Sequence, residues 1–328
     1  MAPLRSSGGK RRLAAAVAAA ACVALAVPAV VHAVSESPGE SSASPAQPAA
    51  GSAKQQSREP SRQEQDMLYT AGQILLRDCM QKQGFEYRPV KENPVPEARE
   101  FPYVITDVSW ARKHGYGTDI QRALAKVRET DPNQRYFRSL PAKRRTAALT
   151  AANGTRPLKV TAKAPDGMLF QRSPEGCQSE ADRKLYGDLQ KWFQAKVTFD
   201  TLTEIRRSRV VADPRFGKAL KPWAACMRAA GHSYSSPVQL RESLAPSNQQ
   251  LSRKKEIRLA VAEADCAVSS GLVGKAAALD REYDGKLRKQ YHSDVETRRR
   301  LQLTALPRAR SITRTAGTDQ SAKSTRDP

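Results

Sequence analysis

Cys79 and Cys226 stand in the same phrase, Cys-Met-x-x-x-Gly-x-x-Tyr, completed by Met80, Gly84 and Tyr87 in one half of the chain and by Met227, Gly231 and Tyr234 in the other. Methionine is scarce, five in 328 residues, so two Cys-Met pairs followed by Gly and Tyr at identical offsets mark a repeated structural unit. Each phrase is followed by one further cysteine, Cys177 after the first and Cys226's partner candidate Cys266 after the second. The repeat therefore favours two disulfides, Cys79 with Cys177 and Cys226 with Cys266, over the other two connectivities that four cysteines allow. No two of these cysteines share a short ligand spacing, so neither a metal site nor a cofactor is expected.

The start of the chain points to export. Arg5, Lys10, Arg11 and Arg12 precede an uncharged Ala/Val-rich run from Leu13 to Val31, which ends in Val31-His32-Ala33. That order predicts a secretory signal peptide, residues 1–33, removed after Ala33. An uncleaved membrane anchor is the alternative, because about 20 apolar residues can cross a bilayer; the alanine content and Pro28 favour cleavage. Removal of the leader also removes Cys22 and leaves an even cysteine count, as disulfide pairing in an exported protein requires. Residues 34–60, rich in Ser, Ala, Pro and Gln, read as a flexible linker.

Helix signals are strong beyond that point. Ser61-x-x-Glu64 is a capping box, Leu68, Leu75, Leu76 and Cys79 fall on one face, and Gly84 stops the helix. Asp213-Pro214 opens a second such helix through Trp223 and Met227 to Gly231, with Pro222 expected to kink or split it. Cys177 heads a run through Trp192 to Ile205. Cys266 lies in a charged run from Leu251 to Leu303 in which Leu279, Tyr283, Leu287, Tyr291 and Val295 recur every four residues. The expected fold is mainly α: a disulfide-stapled helical bundle of about four main helices over residues 61–306. A long irregular insertion, 88–173, separates the first two, and a disordered tail follows at 307–328. Within the insertion, helices are expected near 118–128 and 141–152, and a strand near 158–162.

The formal charge of +22, less the four leader cations, leaves +18 on the mature chain. Such a charge predicts salt-sensitive capture of an anionic envelope polymer or membrane surface. Aromatics are too scattered for a base-stacking platform, so specific nucleic-acid binding is not expected. Two places stand out as candidate contacts. Arg298, Arg299 and Arg300 are candidates for an anionic surface, set against a role at a helix C-terminal dipole. His114-Gly115-Tyr116-Gly117 joins an imidazole and a phenol to two glycines that admit a ligand close to the backbone; the competing reading is a tight turn with Tyr116 buried. Gly-x-Ser-x-Gly, His-Glu-x-x-His and phosphate-binding glycine loops are absent from the sequence.

The chain resembles a group of uncharacterised secreted proteins of high-GC Gram-positive bacteria. The residues that carry the likeness are Cys79-Met80 with Gly84, Gly115-Tyr116-Gly117, Gly176-Cys177 with Leu185-Tyr186-Gly187, and Trp223 with Cys226-Met227. The resemblance implies export and brings no catalytic residue. Taken together, the residues lead us to expect an exported, non-catalytic accessory or binding module of the cell envelope. An envelope hydrolase using His114 as general base and a subunit of a membrane-associated complex, with a membrane-protein partner, remain the alternatives.

Overall fold

The computed structural model describes residues 58–244 and 251–324. The expected leader and all but the last residues of the linker lie outside them. Twelve helices and one hairpin occur among the described residues. In chain order they are α1 (Arg62–Lys82), α2 (Val108–His114), α3 (Thr118–Thr130), α4 (Pro132–Ser139) and α5 (Ala142–Asn153), then β1 (Val160–Lys163) and β2 (Leu169–Arg172). They are followed by α6 (Cys177–Tyr186), α7 (Leu189–Ala212), α8 (Pro214–Ala229), α9 (Pro237–Ser243), α10 (Arg253–Ser269), α11 (Leu272–Gln290) and α12 (His292–Ser324). The mainly helical class holds, whereas the number of helices exceeds the four main ones expected.

Both disulfides join the expected partners, Cys79 with Cys177 and Cys226 with Cys266. The repeated phrase has one geometry in both places. Phe85 N donates to Met80 O at 2.9 Å and His232 N donates to Met227 O at 2.8 Å, each reaching back across the glycine that ends its helix. These bonds satisfy carbonyls that a helix end otherwise leaves open. At the start of α1, Ser61 Oγ accepts from Glu64 N while a Glu64 carboxylate oxygen accepts from Ser61 N, so the capping box is complete.

Two helical groups share α7 as their common support. In one, α8, α10 and α11 bury Trp223, Met227, Leu272 and Leu279 around the second disulfide, with Leu240 of α9 and Tyr103 and Val104 of the insertion closing the cluster. In the other, α1, α6 and α12 bury Leu68, Ala71, Leu185, Ala305, Leu306 and Ala309. Met80, Phe85 and Ala148 pack around the first disulfide, which brings α5 onto this group. On α7, Asp188 caps the start by accepting from Lys191 N, and Tyr186 stacks on Trp192 with ring centroids 3.5 Å apart.

Two expectations are corrected and one is narrowed. The run 251–303 is not one continuous helix: it breaks at Gly271, which takes the left-handed conformation a side chain disfavours, and again at Tyr291. Residues 307–324 of the expected disordered tail are helical, because α12 continues through Pro307 to Ser324; the rest of that tail lies outside the described residues. Leu306 and Ala309 press onto α1, and Arg308 Nε donates to Leu185 O at 3.0 Å, so tertiary burial offsets the amide that proline lacks. Of the two outcomes expected of Pro222, a kink or a split, the split does not occur: α8 continues through it from Pro214 to Ala229, with Trp223 and Met227 buried.

Candidate functional site

The Gly-Tyr-Gly phrase follows a short helix that sequence periodicity did not reveal. Asp107 caps α2 by accepting from Trp110 N, and α2 buries Ala111 against Ala260 and Ala264 of α10. Beyond its end, Tyr116 N and Thr118 N both donate to Glu256 Oε1, at 2.9 and 3.3 Å. Two converging amides in a glycine turn make an anion-binding concavity. Here the anion is the chain's own buried carboxylate. Arg253 secures it, donating to His114 O and Lys113 O at 2.7 Å each and to Glu256 Oε2 at 3.2 Å.

His114 is buried, its Nδ1 lies 2.8 Å from Asp119 Oδ2, and its ring packs against Trp110 with centroids 5.1 Å apart. Burial pushes the Asp119 carboxyl up, but hydrogen bonds from His114 and Ile120 N, with Arg253 nearby, outweigh it and hold the group below its ordinary value. The imidazole therefore joins α2 to α3 and lines none of the clefts described next.

Tyr116 does face a cleft. A cavity of about 340 Å³ is lined by Phe101, Pro102, Ile105, Trp110 and Tyr116, with Arg99, Glu100 and Arg241 among its polar walls. Behind it lies the fully buried Glu263. Its Oε1 accepts from Ile105 N at 3.1 Å and stands 3.7 Å from the Arg241 guanidinium. Its carboxylate faces the Tyr116 hydroxyl, and both groups are buried. Burial pushes the Glu263 carboxyl above its ordinary value, against the pull of Arg241; burial and the facing carboxylate push the Tyr116 phenol upward as well.

Neither Glu256 nor Glu263 was picked out by sequence motifs. A signal existed: Glu256, Leu259, Ala260, Glu263, Ala264 and Ala267 lie at helical spacing on the buried stripe of α10, where a carboxylate requires a partner.

The basic candidates separate. Arg298 lays its guanidinium over the Phe199 ring at 3.8 Å, and burial pulls its pKa down. Arg299 pairs with Glu296, and Arg300 alone of the three is exposed. A longer succession of cations runs along α3–α5, in which Arg144 donates to Gly84 O at 2.8 Å and lies over the Phe85 ring. Arg122, Lys126, Arg128, Arg135, Arg138, Lys143, Arg144 and Arg145 follow one another there, and none forms an ion pair among the described residues. Asp119 is held by His114 and Arg253, and Asp131 caps α4, which leaves Glu129 as the remaining acid of this stretch. Lys143 and Arg144 also line a groove of about 730 Å³ over the first disulfide, which Glu175 and Glu180 share.

The class defined by these features is a mainly helical, twice disulfide-stapled protein with a buried acid behind an aromatic cleft and a cationic excursion on its first unit. Compared with protein-family models, with curated proteins and with solved structures, the chain gives no match in any of the three. The disulfides are compatible with an extracytoplasmic location, and no helix among the described residues is long and apolar enough to cross a membrane.

Proposed function

We propose that the chain is an exported, non-catalytic binding module of the cell envelope that captures an anionic polymer of the wall through α3–α5. The observation that carries this reading is the succession of eight cations there without an ion pair. Unpaired surface cations keep their field available to an external polyanion, and attraction through that field weakens as salt rises. The cleft at Tyr116 supplies selectivity in this reading, through Arg99 and Arg241 at its walls.

The test is co-sedimentation with purified walls carrying or lacking their anionic polymer, across a salt series, with soluble fragments scored in parallel. Polymer-dependent, salt-sensitive sedimentation that falls about tenfold or more when exposed Arg122, Lys126, Arg135 and Arg138 are all replaced by glutamate supports the reading. Sedimentation indifferent to the polymer overturns it. Release of soluble fragments by the unsubstituted chain would establish a hydrolase instead.

A further inference from the structure

The charges around the Tyr116 cleft are unevenly answered. Much of its lining is apolar: Phe101 meets Trp110 edge to face with ring centroids 4.9 Å apart, Ile105 is buried, and Pro102 completes the wall. At about 340 Å³ the space is near the lower end of small-ligand pockets, with room for one ring and one polar group. Three charged side chains share the lining, and two of them are already engaged. Arg99 donates to Asp107 Oδ2 at 2.6 Å, and Glu100 is paired with Arg207.

Arg241 of α9 is the exception. It makes no hydrogen bond among the described residues, and its ion-pair partner, Glu263, stands 3.7 Å away, beyond hydrogen-bonding distance. Glu263 is not free to turn towards it. Its Oε1 already accepts from Ile105 N at 3.1 Å, and its carboxylate faces the Tyr116 hydroxyl. The guanidinium therefore keeps its fork of N–H donors for the cleft, with only 34% of the side chain exposed. A planar fork without an acceptor, set beside an apolar lining, matches the two oxygens of a carboxylate carried on an apolar body. A cation would find no free acid in this lining, since Glu100 is taken. A phosphate monoester would bring a second negative charge that no group there compensates.

We infer that the Tyr116 cleft binds a small carboxylic acid with an apolar or aromatic body, its carboxylate seated on Arg241 and its body against Phe101 and Trp110. The inference rests on the reading of this cleft as the selective element of a binding module, and supplies the chemistry it selects. Binding of this kind carries a pH signature. The groups facing Glu263 are Ile105 N, the Tyr116 hydroxyl and Arg241, with Tyr234 near Tyr116. Burial keeps the Glu263 carboxyl protonated above its ordinary range, where it leaves the Arg241 charge to the ligand. As pH rises through that raised value, the carboxylate forms and competes for Arg241, so binding weakens.

The test is isothermal titration calorimetry of the full chain with phenylacetate, phenylacetamide and phenyl phosphate, from about pH 6 upward. Phenylacetate should bind at millimolar concentration, and the neutral amide about tenfold or more weaker, since it forgoes the charge-assisted hydrogen bonds. Arg241→Gln should weaken phenylacetate by a similar factor, Arg241→Lys should restore only part of the loss, and Glu263→Gln should flatten the decline with pH. No binding of phenylacetate overturns the inference. So does equal binding of acid and amide by the unsubstituted chain, a comparison that holds even where a variant fails to fold. Tighter binding of phenyl phosphate would assign the cleft to phosphoryl groups and overturn it too. Acid binding with polymer-indifferent sedimentation overturns the capture reading alone; polymer-dependent sedimentation without acid binding overturns this inference alone.

Discussion

A Cβ placed on Gly115 would lie 2.8 Å from Glu256 Oε1, so the glycine and the carboxylate fill complementary space. Gly115 also holds a positive φ of 61° that a side chain disfavours. Gly115→Ala should cost about 1–3 kcal/mol of stability, measured by denaturant unfolding. Combined with Glu256→Ala, which vacates the space, the alanine should cost less than it does alone, leaving the backbone share of the penalty.

The buried acid sets a pH dependence. Burial raises the folded Glu263 carboxyl above its value in the unfolded chain, so the folded state holds that proton to higher pH. Between the unfolded value, about 4.3, and the raised one, the folded state binds more protons and stability falls as pH rises. Glu263→Gln keeps the oxygen that accepts from Ile105 N and cannot ionise. Its melting temperature should exceed the wild type's at pH 8, with the difference closing towards pH 4.

Glu64 works in the opposite sense. A two-fold hydrogen bond from Arg58, at 2.6 Å for each oxygen, together with Ser61, holds its carboxyl down at about 2. The stabilisation is complete above the unfolded value and is lost as pH falls from about 4.3 through 2. Glu64→Gln should therefore be less stable than wild type at pH 7 and converge with it near pH 2, as followed by helical circular dichroism.

The two disulfides close loops of 98 and 40 residues. Chain entropy predicts about 5 kcal/mol from the first and about 4 kcal/mol from the second. Paired serine variants compared by guanidinium unfolding should rank in that order. A larger loss at Cys226–Cys266 would show that the order of the unfolded chain, not loop length, decides.

What was legible in the sequence was local chemistry. The capping box at Ser61, the helix stop at Gly84 and the N-cap and proline at Asp213-Pro214 are each decided by a few neighbouring residues, and each holds. Cysteine pairing was legible because the repeat places equivalent cysteines in order. What escaped depends on distant burial. The seven residues of α2 are too few to show a period, and they are helical because α10 covers them. Polar composition after Pro307 suggested disorder, while the packing of Leu306 and Ala309 on α1, more than 230 residues earlier in the chain, decided otherwise. The phrase His114 to Gly117 reads in the sequence as a place where glycines admit a ligand or as a tight turn; the group that meets its backbone is Glu256, about 140 residues away.

Gln190 and Gln194 of α7 hydrogen-bond the backbone N and O of Thr161 and Lys163 along the outer edge of β1, and this seal limits how the protein can assemble. A two-stranded ribbon open at both edges could recruit strand after strand, the route by which sheets grow into fibres. With Gln190 and Gln194 occupying one edge, a copy added at β2 would present its own closed edge outward. Growth would end at a pair, so the hairpin has a built-in chain terminator.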